Sequence, residues 1–465
     1  MEVTVIGWIV IALSIYGLIK SEKFLLYITV FFSTFTAASA LNIEKTVTGI
    51  APFYICGGLW IIKTIISNKN LFTLNNLKFE LKTNKLIRAL LIFIIVIVVG
   101  ELLRFFNFMP ITYNDLNANT SNNISFTGSN ITQPIYLFFM LVIAMLISIT
   151  VKEKRVFKNI IISFAMSSIF AIVWGILQFC MYYLNIEYPA YLFNNNIALG
   201  QLYFQMVYGI KRVNSIALEP STFALNLLQF LPLILVLWLA NKKISKSEKK
   251  SNIVLILIIF ITLAVAVLTT SSTAYLGIGI LIIATTIYVY VFSIKGEELY
   301  QNRNRILIFY IIGLISLIAI YILAVKVFNI YWGTLVDAFR DMTVNKKNLE
   351  SGQLRGNAVE MSLSILKQSP LFGAGFGSFR SLDTITNLLA NTGILGILSY
   401  IYIIFITIKQ ALVKRKNNET MSVILILMVL MPTIGLCISI PDLNFGYYWI
   451  IISVTYSYFN LKRRI

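Results

Sequence analysis

Runs of about twenty apolar residues recur along almost the whole chain, and they constrain its fold more than any other feature. A helix needs about 20 predominantly apolar residues to cross the hydrocarbon layer of a membrane. We identify thirteen candidate spans, at residues 3–19, 25–43, 47–66, 87–106, 134–150, 160–184, 224–240, 253–270, 273–294, 306–325, 386–408, 422–440 and 446–460. The sequence therefore predicts an all-α polytopic membrane protein with about 12–14 transmembrane helices. We expect one membrane-embedded domain over residues 1–465.

Composition excludes several other classes of protein. The chain is 58% hydrophobic and 12% charged, whereas soluble globular proteins contain roughly 45–50% apolar and about 25% charged residues. An ordinary soluble enzyme, a disordered chain and a disulfide-rich secreted domain are therefore excluded. None of the 465 residues is histidine, so no histidine can serve as a general base, a metal ligand or a pH switch.

The net charge of +19 is distributed unevenly along the chain. Alternate connections between the candidate spans, together with the C-terminal residues, carry 27 of the 38 basic residues and 7 of the 19 acidic residues. Cytoplasmic loops of membrane proteins carry an excess of Lys and Arg, so these connections and the C-terminus are predicted to be cytoplasmic. Because membrane topology accounts for the positive charge, no nucleic-acid partner is expected.

Three of the predicted outer connections are long. Residues 107–133 are rich in Asn, Ser and Thr, and we interpret them as a polar loop. Residues 185–223 and 326–385 mix aromatic, charged and glycine residues, and loops of this length are usually functional. We therefore expect chemistry in both, with residues 326–385 forming a large late extracytoplasmic loop.

The end of the 185–223 loop places cations shortly before a carboxylate and a predicted span. Pro220 directly after Glu219 is typical of a helix start, where a carboxylate meets the positive end of the helix dipole. One interpretation is therefore a cap at the membrane surface. In the other interpretation, Lys211 and Arg212 form a cationic pair, and Arg212 binds phosphate as a bidentate fork. Glu219 then accepts a proton from a hydroxyl group.

The late outer loop contains a predicted amphipathic helix that begins near Arg355 and stops before Pro370. Its apolar residues recur at spacings of three and four, and they are Leu354, Ala358, Met361 and Ile365. We expect this helix to lie against the membrane surface or on the other helices.

Three glycines follow in residues 373–377, and a row of polar residues comes after them. No strand precedes the glycines, which excludes a dinucleotide-binding fingerprint and favours a turn in which backbone approaches backbone or ligand. Asp383, Asn387 and Asn391 recur every four residues, so we expect them to share one polar helix face.

The order of these motifs resembles the Wzy/WaaL superfamily. The superfamily pattern contains an arginine, an amphipathic helix, the sequence P-L-hydrophobic-G-x-G-x-G and then E-x-G-hydrophobic-hydrophobic-G. The matching positions here are Arg355, residues 370–377 and residues 391–396. Residues 212–224 resemble another arginine-bearing loop of the superfamily, and residues 269–277 resemble its T-x-S start of a middle span.

The resemblance implies a membrane glycosyltransferase of the GT-C type in the bacterial cytoplasmic membrane. Such an enzyme moves a glycan from undecaprenyl pyrophosphate to an acceptor sugar on the outer face, and it needs no metal and no cofactor. Ligases of the superfamily carry a histidine shortly before E-x-G, whereas this chain has Leu382 and Asp383 there and Asn391 in place of the glutamate. These departures favour a repeat-unit polymerase for O-antigen, capsule or a related polysaccharide.

We assign two roles within this chemistry. Residues expected to bind the leaving pyrophosphate are Arg212 and Arg355, with Lys211, Arg380 and Asn387 beside them. Residues expected to act as the general base are Glu219 first, then Asp383 and Glu360. The expected partners are undecaprenyl-pyrophosphate-linked oligosaccharide, membrane lipid and a chain-length regulator protein. An O-antigen-type ligase and a lipid-linked oligosaccharide flippase are the alternatives.

Overall fold

The computed structural model describes residues 1–458 except 107, 109, 201, 208, 245–246, 293–297, 323–324, 326–331, 344, 346–349, 414 and 416–417. The helices are α1 Val5–Lys20, α2 Glu22–Phe32, α3 Pro52–Ser67, α4 Leu74–Thr83, α5 Lys85–Phe105, α6 Ser129–Thr150, α7 Lys154–Tyr183, α8 Ala190–Phe193, α9 Pro220–Leu239, α10 Glu248–Leu268, α11 Ser272–Ile287, α12 Glu298–Gln301, α13 Arg305–Tyr321, α14 Trp332–Thr343, α15 Glu350–Gln368, α16 Thr384–Val413, α17 Glu419–Ser439 and α18 Gly446–Tyr458. The strands are β1 Glu2–Val3, β2 Leu41–Ile43, β3 Thr48–Ile50, β4 Ile111–Asp115, β5 Thr120–Ile124, β6 Met206–Val207 and β7 Ile210–Lys211. The predicted cytoplasmic C-terminus and part of the predicted 326–385 loop lie outside the described residues.

Each of the thirteen predicted spans overlaps a helix. Among the described residues, eight helices are long and apolar enough to cross a membrane, and they are α5, α6, α7, α9, α10, α11 with its extension to Phe292, α16 and α17. Three further apolar helices, α1, α3 and α13, are shorter. The structure is mostly helical and is consistent with the predicted polytopic membrane protein, while the number thirteen stays a prediction.

The predicted span 25–43 is helical over only part of its length. Helix α2 ends at Phe32, where the Ser33 hydroxyl donates to the Val30 carbonyl at 2.6 Å. The chain then enters an antiparallel sheet in the order β1–β2–β3. A hydroxyl that bonds to a carbonyl of the last turn competes with helix continuation, which explains why the apolar run outlasts the helix.

Contacts divide the chain into two compact units. Unit 1 contains residues 1–63, 158–343 and 411–435, and unit 2 contains residues 64–157, 344–410 and 436–465. The prediction of a single domain stays a prediction.

Helix α9 is the core of unit 1, because nearly all of its residues are buried. It packs against α10 and α11. Two glycines, Gly277 of α11 and Gly435 of α17, allow these helices to lie close to α9. A Cβ added at Gly277 would lie 2.3 Å from Leu228, and one added at Gly435 would lie 2.8 Å from Leu225. Small residues at helix contacts are typical of membrane proteins.

In unit 2, α6 packs against α5 and α18. The amphipathic helix predicted near Arg355 is present as α15, and it packs against a hairpin formed by β4 and β5. The Gln368 side chain fixes this hairpin, because it accepts from the Thr112 N–H at 3.0 Å and donates to the Thr112 carbonyl at 2.6 Å. Residues 111–124 therefore form a hairpin inside the segment that composition predicted to be a polar loop.

The glycine turn, residues 369–379, is joined to a break in α16 at Gly393. In an unbroken helix the N–H groups of residues 394 and 395 would donate to the carbonyl groups of residues 390 and 391. All four groups pair with the turn instead. The bonds are Ile394 N to Pro370 O at 2.8 Å, Leu395 N to Leu371 O at 3.2 Å, Ala374 N to Ala390 O at 2.8 Å and Gly375 N to Asn391 O at 3.0 Å.

Two glycines make this junction sterically feasible. Gly373 has φ of 69° and Gly393 has φ of 62°, in the left-handed region that favours glycine. A Cβ at Gly373 would lie 2.5 Å from backbone atoms of Asn391 and Thr392, and one at Gly393 would lie 2.4 Å from the Leu371 carbonyl carbon. The expectation of a turn in which backbone approaches backbone is thus confirmed.

Candidate functional site

Arg212 is held in unit 1 by neutral acceptors. The hairpin of β6 and β7 delivers it, and its N–H donates to the Gln205 carbonyl at 3.1 Å. Its guanidinium donates from Nε to Thr270 Oγ1 at 3.1 Å, from Nη1 to Gln205 Oε1 at 3.2 Å and from Nη2 to the Thr270 carbonyl at 3.3 Å. Thr270 lies in the break between α10 and α11, with φ of 45°. The Thr-Ser run predicted to start a middle span therefore also orients the arginine.

The electrostatic surroundings of Arg212 include one carboxylate. Burial lowers the pKa of Arg212, and the nearby negative charge of Glu219 opposes that decrease. An arginine side chain stays protonated in proteins, so the guanidinium remains a cation. Its three described hydrogen bonds go to groups without charge, which leaves its positive charge available for an anion.

Glu219 is the residue before the first turn of α9, as its sequence position predicted. The Glu219 N–H donates to Thr222 Oγ1 at 2.9 Å, and the Thr222 hydroxyl donates to the Glu219 carbonyl at 2.7 Å. The Ser221 hydroxyl donates to Glu219 Oε2 at 3.4 Å. The carboxylate is half-buried at the helix start and lies near Arg212.

Lys211 is directed into the protein interior. Its side chain is buried, its Nζ donates to the Tyr203 carbonyl, and the ammonium lies 5.5 Å from the centre of the Phe204 ring. Burial, together with the charge of Arg212, lowers the pKa of Lys211 from 10.5 to about 8. These contacts fix the loop that carries Arg212.

In unit 2, Arg355 lies in the second turn of α15. Its Nη1 donates to the Leu382 carbonyl at 3.1 Å and to the Ile438 carbonyl at 3.3 Å. The guanidinium thus joins the amphipathic helix to the segment before α16 and to the end of α17. Glu360, on the same helix, is exposed.

Asp383 and Asn387 make structural bonds at the start of α16. Both carboxylate oxygens of Asp383 accept from Thr386, from its N–H at 2.9 Å and from its hydroxyl at 2.6 Å. Asn387 accepts from the Ser381 N–H at 3.1 Å and donates to the Pro441 carbonyl at 3.1 Å. Asn391 Nδ2 donates to the Asn387 carbonyl at 2.8 Å and to Asn387 Oδ1 at 3.1 Å, so these two asparagines share a face of α16, whereas Asp383 lies before the helix.

Arg380 forms a two-bonded ion pair with Asp442. The Nη1–Oδ1 distance is 3.1 Å and the Nη2–Oδ2 distance is 2.8 Å. The positive charge of Arg380 is therefore compensated within unit 2.

A second pair of charged residues lies on α5, and the sequence assigned no role to it. Both carboxylate oxygens of Glu101 are buried. Arg104 is 4% exposed, and its Cβ would lie 3.0 Å from a Cβ added at Gly375 of the glycine turn. Two charges three residues apart inside an apolar run were the signal that could have identified this site.

The structure groups the predicted residues by unit. Lys211, Arg212 and Glu219 lie together in unit 1, and Arg380 and Asn387 line one cavity in unit 2. The remaining three belong to unit 2 as well, and they are Arg355, Glu360 and Asp383. Within the described residues, no group of three or more Cys, Asp or Glu side chains could hold a metal ion.

Part of the chain matches a known protein family. Residues 256–389 match the family model described as O-antigen ligase. No curated protein matches the chain. Together with the apolar helices, the match supports a bacterial inner-membrane, multi-pass protein with an O-antigen ligase-type or polymerase-type function. The matched region includes Arg355, the glycine turn and Asp383, and it confirms the resemblance to the Wzy/WaaL superfamily.

Proposed function

We propose that the protein is a polysaccharide repeat-unit polymerase of the GT-C type that needs no metal. The observation that carries this proposal is the match of residues 256–389 to the O-antigen ligase family. The absence of histidine from the sequence supports a polymerase over a ligase, because the superfamily's ligases carry one before E-x-G. The donor is a glycan linked to polyprenyl pyrophosphate, and the acceptor is the terminal hydroxyl of another repeat.

The proposed step exchanges one bond at the anomeric carbon. The acceptor oxygen forms a bond to that carbon, the bond from the carbon to the pyrophosphate oxygen breaks, and the hydroxyl proton moves to a base. Polyprenyl pyrophosphate leaves with the bonding electron pair. Cations that are already held in place stabilise the negative charge that develops on such a leaving group, because the cations do not have to reorganise during the step.

Arg212 is suited to the leaving group. Its guanidinium is oriented by Gln205 and Thr270 at 3.1–3.3 Å, and these hydrogen-bond acceptors carry no charge. We propose Arg355 as a second pyrophosphate ligand, and its substitution is tested separately from that of Arg212. Lys211 acts as a positioning residue for Arg212, because it fixes the loop through Tyr203.

Glu219 is the proposed base. It lies near Arg212 at the start of α9, so an acceptor hydroxyl beside the bound donor could reach it. Asp383 is less suited, because both of its oxygens already accept bonds from Thr386. Glu360 is exposed on α15, where water would compete for the proton.

The test uses purified protein with lipid-linked repeat units. Wild-type protein should produce a ladder of polymers, and EDTA should not change it. Glu219→Gln should abolish the ladder, whereas Glu187→Gln, an exposed glutamate on the same 185–223 loop, should leave it intact. Full activity of Glu219→Gln would refute the assignment of the base and direct the test to Asp383→Asn and Glu360→Gln.

A ligase is the second candidate, since the matching family model is described as O-antigen ligase. Lipid-linked intermediates in a deletion strain separate the candidates. Loss of a polymerase leaves single repeats on the outer face, and loss of a ligase leaves finished polymer on the lipid carrier. Repeats retained on the cytoplasmic face would indicate a flippase and contradict both.

A further inference from the structure

Unit 2 contains a cavity of about 130 Å³ where three predicted outer connections meet. The first turn of α6 contributes Gln133, the end of the glycine turn contributes Arg380, α16 contributes Asn387, and the α17–α18 connection contributes Asp442 and Asn444. We call this cavity the Arg380–Asp442 pocket.

The polar groups of the pocket are held by one another. Arg380 and Asp442 form a planar fork with bonds of 3.1 and 2.8 Å. Asn444 Nδ2 donates to Gln133 Oε1 at 3.0 Å, and Asn387 Nδ2 donates to the Pro441 carbonyl at 3.1 Å. Such cross-bonding restricts side-chain rotation, so less conformational entropy is lost when a ligand binds.

One polar atom of the pocket lacks a partner. Asn444 Oδ1 is buried, and no hydrogen-bond donor in the described part of the chain reaches it. A buried acceptor left unsatisfied costs about 1–3 kcal/mol. A ligand hydroxyl that donates to this oxygen would remove that cost.

The charge of the pocket selects the class of ligand. Because Asp442 compensates Arg380, the lining offers planar donors and acceptors without a net positive charge. A pyrophosphate needs uncompensated cations. A sugar ring presents hydroxyl groups that each donate one bond and accept others, which the carboxylate, guanidinium and amides of the pocket match.

We propose that the Arg380–Asp442 pocket binds a neutral sugar of the acceptor glycan. This inference rests on the proposed function, in which the donor is anchored by its pyrophosphate and lipid and the acceptor end needs a site of its own. It changes the expected role of Arg380 and Asn387 from pyrophosphate binding to sugar binding.

The test measures binding apart from turnover. The probe is the host's repeat-unit oligosaccharide, released from its lipid carrier so that it lacks both lipid and pyrophosphate. Asp442→Asn removes the charge that holds Arg380, and Asn444→Ala removes the unpartnered acceptor. Each change should raise the Kd for this oligosaccharide about tenfold, which corresponds to about 1.4 kcal/mol. The matched control is Asp115→Asn, on the β4–β5 hairpin outside the pocket.

Kinetics then assign the pocket to one substrate. The two variants should raise the KM for the acceptor and leave kcat and the KM for the lipid-linked donor near wild-type values. A higher KM for the donor alone, or unchanged oligosaccharide binding in both variants, would overturn the proposal. If Asp442→Asn fails to fold, Arg380→Lys keeps the charge but loses the fork, and the same tenfold rise is expected.

Failure of the proposed function gives a different result. If the wild-type protein binds the free oligosaccharide and the pocket variants do not, yet no polymer forms, the sugar site stands and the polymerase assignment falls.

Discussion

Substitution of Gly373 tests the junction between the glycine turn and α16. In Gly373→Ala the new methyl carbon would lie 2.5 Å from backbone atoms of Asn391 and Thr392, at a φ of 69°. The left-handed conformation costs an alanine roughly 1–2 kcal/mol, and overpacking against backbone adds about 1–3 kcal/mol. We therefore expect a loss of about 2–5 kcal/mol in the free energy of unfolding. In a cooperative unit of the size of unit 2, such a loss lowers Tm by roughly 5–15 °C.

The matched control is Gly356→Ala in the same unit. Gly356 is exposed on α15, and no heavy atom lies within 4 Å of an added Cβ. Alanine is favoured over glycine within a helix by about 0.5–1 kcal/mol, so this variant should unfold at the wild-type temperature or slightly above it. Thermal unfolding of both proteins in the same detergent provides the measurement. A Gly373→Ala protein whose Tm lies within 2 °C of the wild-type value would refute the steric account.

Three further outcomes are expected. Arg212→Lys and, separately, Arg355→Lys should each reduce kcat about a hundredfold, because lysine lacks the planar fork that orients the charge. This reduction corresponds to about 3 kcal/mol of activation free energy. A wild-type kcat in either variant would exclude that arginine as a pyrophosphate ligand. Burial lowers the pKa of Lys211 from 10.5 to about 8, so the unfolded chain binds more protons than the folded chain between these pH values. The free energy of unfolding should therefore increase as the pH rises from 8 to 10.5. Lys211→Met should abolish this increase, and unfolding measured as a function of pH checks it. In a cysteine-free variant, Ser247→Cys should be labelled from the cytoplasmic side and Ala118→Cys from the outer side, and labelling of both from one side would contradict the topology.

The helices follow from the sequence because apolar length and helix geometry act locally. Each of the thirteen runs overlaps a helix, and α15 and the start of α9 lie where capping and periodicity placed them. The helix predicted over residues 25–43 was too long, because the Ser33 hydroxyl bonds to a helix carbonyl and the chain then pairs as strands. An apolar run alone does not show where the backbone changes its hydrogen-bond partners.

The sequence allows candidate site residues to be chosen, but it does not show their hydrogen-bond partners. Motif order identified Arg212 and Arg355, but Arg212 bonds to Thr270, 58 residues away, and Arg355 bonds to a carbonyl 83 residues away. Arg380 was expected to contact pyrophosphate, yet the structure pairs it with Asp442. Such partners depend on which loops meet in three dimensions, and spacing along the chain does not encode this.

The break in α16 has a consequence for how the protein is made. The four backbone groups that the break exposes would each cost several kcal/mol in lipid without a partner. Their partners at residues 370–375 precede α16 in the chain, so the ribosome has already synthesised them when the second half of that helix emerges. A permuted chain in which the turn followed α16 would require the insertion machinery to hold an incomplete helix until the turn arrived. The order of the two motifs in the chain is therefore favourable for membrane insertion.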